Sequence, residues 1–502
     1  MGNLISGFVQ MFTNPLCLVF LILGTVLGLI VGALPGLNSA ITMSVLIPVT
    51  FGMDPKVAFS MLVGIYVGAT TGGSVTAILL KVPGTGGAVV TAFDGHEMYK
   101  KGQGGLALGI STVSSTFGGI ISALVLCFFA PFLAEQALKF GPPEYFMLAF
   151  MGLCSVIGMS DNKISKNVLS MAIGLFISMI GISPQGGVQR FTFGSLTLLG
   201  GISMVPMLIG LFGVGSIFEM LETMGGTEGV KETVEKIKIQ FPDRKMMKSM
   251  LPVWLQSTVI GNIVGIIPGA GMTVAIFMAY DQAKRSYPKL SFGTGEPLGV
   301  AAPECANNSV TGSSMVPLLS LGIPGNPASA VFLGALMIHG LRTGPSLFKD
   351  YADSANVLTV AFLIGSILLI PLMFIFCNYM ACYVLRLKRE ILSGLILILC
   401  MTGAFACNNQ LGDVAITIAF GVVGYILVKF KIPMAPLILA EVLGSMLESY
   451  WLQSLVLANG NFSLFVTRPI SCFLLILSAI FLIVPIWKKV TDKMKTKVQP
   501  AQ

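Results

Sequence analysis

Charge is scarce in this chain. Only 10% of its 502 residues are Asp, Glu, Lys or Arg, where a soluble protein carries about 25%. With 54% hydrophobic residues and a mean hydropathy of +0.87, too little polar surface is left to meet water on every side. A soluble enzyme, a nucleic-acid binder and a disordered scaffold are excluded, despite a pI of 9.0. Histidine is almost absent: His96 and His339 stand too far apart for a ligand motif, and no HExxH occurs. The nine cysteines show no CxxC spacing, Cys377 and Cys382 being five apart. Most sit in apolar runs, as Cys17, Cys127 and Cys400 do, and read as small packing residues. The first 16 residues hold no charge, so a secretory n-region is missing, and the run Leu16 to Leu34 is long enough to stay in a bilayer.

What is present is a near-continuous series of apolar segments, which predicts an all-α, polytopic integral membrane protein. A polar stretch at 221–249, with Glu228, Lys231, Glu232, Glu235, Lys236 and Lys238, reads as an amphipathic linker on the cytoplasmic membrane surface. It divides the chain into two halves. The first, 1–220, is expected to hold a re-entrant hairpin at 16–52, a broken helix at 57–91 and spans over 104–217. The second, 250–457, is expected to hold a hairpin at 250–280, a broken helix at 298–340 and spans over 355–457. A final span and a basic tail occupy 458–502.

The halves also match in motif. Gly24, Gly28, Gly32 and Gly36 recur every fourth residue and end in Gly32-Ala-Leu-Pro-Gly36; Gly261, Gly265 and Gly269 repeat the spacing and end in Gly265-Ile-Ile-Pro-Gly269. Downstream, Thr71-Gly72-Gly73-Ser74 precedes Lys81-Val82-Pro83-Gly84-Thr85, as Gly312-Ser313-Ser314 precedes Gly322-Ile323-Pro324-Gly325-Asn326. With hairpins and broken helices placed as above, 23 of the 30 Lys and Arg fall on one side and six on the other, Lys81 lying between. The richer side is then cytoplasmic. The halves become inverted repeats, with the N-terminus periplasmic and the C-terminus cytoplasmic.

Inside hydrocarbon, backbone that leaves the helix must be buried in protein or line a wet cavity. Pro-Gly interruptions free N–H groups at one helix start, which attract anions, and carbonyls at the other end, which attract cations. Paired interruptions in inverted repeats point to the binding site of a secondary transporter. The candidate substrate residues are therefore Pro35, Gly36, Asn38, Ser39, Thr71, Ser74, Lys81, Gly84 and Thr85 in the first half. Gly271, Asn307, Asn308, Ser313, Ser314, Gly325 and Asn326 join them from the second. Their hydroxyls and amides can donate to carboxylate oxygens and offer oxygens to a hard cation. Candidate sodium positions lie near Gly36, Asn38, Gly84, Gly269, Asn308 and Gly325. The competing reading is that Ser and Thr satisfy helix carbonyls and Gly packs helices.

Charged residues within apolar runs are costly, at about 2.5–3.5 kcal/mol each on insertion scales. Lys81, the counterpart of Gly322, could meet an anionic substrate or stand in for a cation; equally it could snorkel to the interface or pair with a carboxylate. Glu304, beside Asn307 and Asn308, is the acidic residue best placed for a site role, ahead of Glu441 and Glu448. Asp94-Gly95 reads as a turn.

These motifs, together with Gly64-Ile-Tyr-Val-Gly68-Ala-Thr-Thr-Gly72, Pro268-Gly269-Ala-Gly271 and Ala301-Ala302-Pro303-Glu304, resemble the large membrane subunit of the tripartite tricarboxylate transporters. The resemblance runs in detail from about Pro15 past Phe348. It implies a bacterial inner-membrane importer of organic carboxylates, driven by a sodium or proton gradient. It also implies a periplasmic solute-binding protein and a small membrane subunit as partners, with a homodimer open. Elevator-type alternating access follows by analogy. Lys81 departs from the family pattern, where an asparagine is expected. A carboxylate channel, and an intramembrane enzyme lacking any catalytic constellation, are the alternative classes.

Overall fold

The computed structural model describes residues 2–34, 36–159, 164–183, 186–223, 238–269, 271–386 and 389–498. Among the described residues, eight helices are long and apolar enough to cross a membrane. The strands found there are a two-residue pair, Gly181–Ile182 and Gln189–Arg190. The chain is an all-α, multi-pass membrane protein.

By its contacts the chain forms two compact units, which interleave along the sequence. The first consists of Met1–Glu135, Met204–Ile266 and Gly271–Ile426. Its labelled helices are α1 (Pro15–Gly32), α2 (Ser39–Leu46), α3 (Pro55–Leu80), α4 (Thr91–Lys100), α5 (Gly104–Ala137), α6 (Arg244–Ile266), α7 (Gly271–Ser286), α8 (Pro297–Ser313), α9 (Met315–Leu321) and α10 (Pro327–Ile338); the last two residues of α5 belong to the second unit.

The four-residue glycine rhythm explains how α1 and α3 meet. A Cβ on Gly24, Gly28 or Gly32 would run into the backbone of Met61, Ile65 or Ala69, and one on Gly64, Gly68 or Gly72 into that of Leu21, Thr25 or Leu29. Two glycine stripes interlock, so the backbones approach to a distance that no side chain permits. The closeness buries α3 along its whole apolar window. In the second half α6 meets α8 with Gly261 against Ala306 and Ser309, and Gly265 against Val310 and Ser313. Here glycine stands on one helix and small residues on the other.

Several element bounds differ from the sequence expectation. Helix α6 starts at Arg244, inside the expected linker, whose central residues 224–237 lie outside the described residues. The second arm of the first broken helix, α4, begins only at Thr91, where that element was expected to end. The apolar run from 193 is not helical until Met204, because Phe193, Gly194 and Gly201 take left-handed backbone angles that interrupt a helix. Gly2–Thr13, where no element was expected, is helical; it packs on Ala352–Ile375, with Gly7 against the backbone of Asn356.

The second unit, Gln136–Ser203, Ile267–Ala270 and Leu427–Gln502, is built on Pro142–Met159, Ile164–Ser178, Met434–Leu457 and Pro469–Val498. Met434–Leu457 packs on the first two. Its Glu448 takes a bidentate pair from Arg190 at 2.8 and 2.9 Å, and Arg468 reaches Glu144 at 2.7 Å. Glu448, counted among the costly charges, is thus neutralised by a geometry that suits guanidinium and carboxylate.

Candidate substrate and cation site

The two expected helix breaks have the same local form. Helix α3 ends at Lys81 with φ 57° and ψ 18°, and α9 ends at Gly322 with φ 76° and ψ 16°. Glycine adopts this left-handed conformation freely, whereas lysine there costs about 1–2 kcal/mol. After each cap comes a proline, then a glycine pressed onto the other helix of its pair. Gly84 sits against the carbonyl of Gly32, and Gly325 lies with its Cβ position 3.0 Å from the carbonyl oxygen of Gly265. The Gly84 amide also donates to the Gly73 carbonyl at 3.2 Å.

Residues from both halves join between these breaks. Thr71 Oγ1 on α3 donates to Asn308 Oδ1 on α8 at 3.0 Å, and Asn307 Nδ2 points to the Thr70 carbonyl at 3.5 Å. Ser74 donates to the Thr71 carbonyl and receives Ser111 Oγ at 2.8 Å. Ser314 Oγ shares a 3.2 Å hydrogen bond with Tyr66, whose hydroxyl accepts from Asn326 Nδ2 at 2.9 Å. Asn326 also caps α10, exchanging hydrogen bonds with Ser329. Thr71, Ser74, Asn307, Asn308, Ser313, Ser314 and Asn326 are all buried. Ser313 returns its hydroxyl to the Ser309 carbonyl at 2.7 Å, the local helix bond that the packing reading foresees.

Other candidates lie apart from this junction or are occupied differently. Pro35 lies outside the described residues. Gly36 is exposed with φ +90° and open space around it, and Gly271 opens α7 with φ +71° and equal freedom. Asn38 caps α2, accepting from the Ile41 amide at 2.9 Å, and Ser39 is buried at the start of that helix. Thr85 is buried, with its hydroxyl lacking a partner. Gly269 belongs to the second unit, where it packs on Val156 beside a bond from Ser155 Oγ to the Pro268 carbonyl. The Lys81 side chain is 58% exposed, with its ammonium 3.9 Å from Glu97. A hydrogen bond from Lys100 outweighs desolvation and, with the lesser help of the charges of Lys100, Lys81 and His96, holds the Glu97 carboxyl below its ordinary value.

Asp94-Gly95 is not a turn. Both residues are helical in α4, and the Asp94 carboxylate, fully buried, accepts from the amides of Gly293, Gly295 and Glu296 and from the Tyr280 hydroxyl. A carboxylate so placed shapes the 293–296 loop as a turn-forming Asp shapes its own backbone, but at a sequence distance of about two hundred residues. Thr70, a polar neighbour of the second Pro-Gly in the sequence, is joined by Tyr66, Thr91 and Ser115, which were not singled out from the sequence. For Tyr66 the available signal was a lone hydroxyl amid glycine steps; for Ser115 it was the cluster Ser111-Thr112-Val113-Ser114-Ser115-Thr116 within a long apolar run.

Residues 18–439 match the family model described as the tripartite tricarboxylate transporter TctA family. The chain belongs to that family. It is 34% identical over 498 residues to the uncharacterized 52.8 kDa protein in the TAR-I ttuC' 3' region of Agrobacterium vitis, covering 98% of this chain and 97% of that one. A second Agrobacterium vitis protein, from the TAR-II ttuC' 3' region, is 32% identical over 238 residues, 46% of this chain and 96% of its own length. No solved structure matches. As a TctA-family member the chain is the large membrane subunit of a tripartite transporter and not an enzyme, and its system includes a binding protein and a small membrane subunit.

Proposed function

We propose that this TctA-family chain imports an organic di- or tricarboxylate across the bacterial inner membrane, coupled to the inward movement of sodium or protons. The two halves are inverted repeats, the N-terminus is periplasmic and the C-terminus cytoplasmic, and the site moves between the two faces in an elevator-like manner. The observation that carries this reading is the contact of Thr71 with Asn308, which joins the halves beside two helix breaks of equal geometry. Free amides at helix starts suit carboxylate oxygens; at α10 the first turn is held instead in a capping box of Asn326 and Ser329. Hydroxyl and amide side chains around them orient the ligand without fixing its charge, so release costs little.

The test is uptake by the full chain with its small subunit in proteoliposomes, with the cognate binding protein outside. Accumulation that requires the binding protein and collapses with the cation gradient is expected. Flux independent of any gradient would mark a channel and sink the proposal. Asn308→Ala and Gly325→Leu are expected to lower uptake at least about tenfold, the effect of one lost interaction of about 1.4 kcal/mol, while the protein still inserts.

A further inference from the structure

Helix α8 and the segment following the first helix break lie side by side in a continuous antiparallel contact. Gly87 rests on the Asn307 side-chain amide, Thr91 reaches Glu304, and Asp94 reaches Gly299. Along this strip Asp94 is fully satisfied by backbone amides and Tyr280. Glu304 is not. It has no exposed surface, and its partners are neutral hydroxyls: Thr91 at 2.5 Å and Ser115 at 3.0 Å, with Ser111 beside them. Among the described residues no basic side chain forms an ion pair with it; on and just after α4, His96 bonds the Ile78 carbonyl, and Lys100 and Lys101 are engaged with Glu97 and the Thr294 carbonyl. Asn307, one turn further on the same helix face, is also wholly buried, and its Oδ1 has no donor.

A buried carboxylate without a positive partner, beside a buried carbonyl without a donor, is an incomplete arrangement. The unpartnered Asn307 atom is an oxygen, and Glu304, when ionised, supplies one negative charge. That donor set matches a hard cation of charge +1, since a divalent ion would call for further carboxylates. We propose that Glu304 and Asn307, with the Thr91 hydroxyl bonded to Glu304, form a sodium site. The inference rests on the carboxylate-importer reading and gives its coupling ion a location. Sodium would link the arm after the first helix break to α8, next to the Thr71–Asn308 contact, so occupancy of the ion and order in the substrate junction are coupled.

The test is thermal unfolding of the full-length chain in lipid nanodiscs, without carboxylate, titrated with sodium, potassium or choline chloride at constant ionic strength. Sodium alone is expected to raise the melting temperature saturably. In Glu304→Gln and Asn307→Ala the half-saturating concentration is expected to rise at least about tenfold, as for loss of one charge-assisted contact. Asn307→Ser, which keeps an oxygen at shorter reach, is expected to fall between them and the unaltered chain. Equal stabilisation of the unaltered chain by all three salts would overturn the site, whether or not the variants fold. So would a response to pH with none to sodium, or an unchanged sodium midpoint in folded variants. These results are separate from uptake. A chain that binds sodium here yet moves no carboxylate would refute the transport reading alone.

Discussion

At the scale of single residues, the site is decided by which side chains fill the space left by absent ones. The Asn307 amide occupies the volume that a side chain on Gly87 would need, whereas the Cβ position of neighbouring Gly86 meets nothing closer than Thr273 Oγ1 at 3.7 Å. Gly87→Ala is therefore expected to reduce uptake about tenfold or more, and Gly86→Ala to leave it near the level of the unaltered chain, both read in the same liposome assay. Lys81 illustrates the opposite case. Its type suggested an ion or substrate role, but its backbone sits where the matching position holds Gly322, and its ammonium is turned to Glu97. Lys81→Gly is expected to raise stability by about 1 kcal/mol through relief of the left-handed strain. Lys81→Asn is expected to keep the cation and carboxylate dependence of uptake. A changed dependence in that variant would return the lysine to the site.

At the scale of elements, the decisive structures are the helix pairs that hold the breaks. Glycines on both α1 and α3 let the two backbones touch, so one branched side chain in the seam must push the helices apart. Gly68→Val is expected to cost about 1–3 kcal/mol, seen as a lower melting temperature and poorer recovery from the membrane. Gly365→Ala, whose Cβ would meet only Leu21 Cδ1 at 3.5 Å, is the matching control. The loop into α8 depends instead on one carboxylate. Asp94→Asn replaces an acceptor oxygen by an NH2 group facing amide donors, and is expected to expose the 287–296 segment to limited proteolysis. Loss of a charge-assisted contact of about 1.5–3 kcal/mol is enough to open a loop of that size.

At the scale of the whole molecule, inverted repeats require the two halves to face opposite ways. Cysteine substitutions at Lys101 and Lys284 in a cysteine-free background are expected to label from the cytoplasm, and those at Lys349 and Arg468 from the periplasm. Labelling of Lys101 and Lys349 from the same side would dissolve the inverted-repeat reading. The sequence by itself determined the all-α membrane class, the family and the positions of the helix breaks. Lipid solvation imposes apolar length on every span, and proline and glycine mark backbone interruptions wherever they stand. It also made Asn307 and Asn308 conspicuous, as amides within an apolar run. Only the tertiary structure decided that Thr71 meets Asn308, that Asp94 grips a loop two hundred residues away, and that Ser115 and Thr91 serve Glu304. Those pairings depend on which faces of distant helices are brought together, and close packing fixes them through three-dimensional fit rather than through any local pattern in the chain.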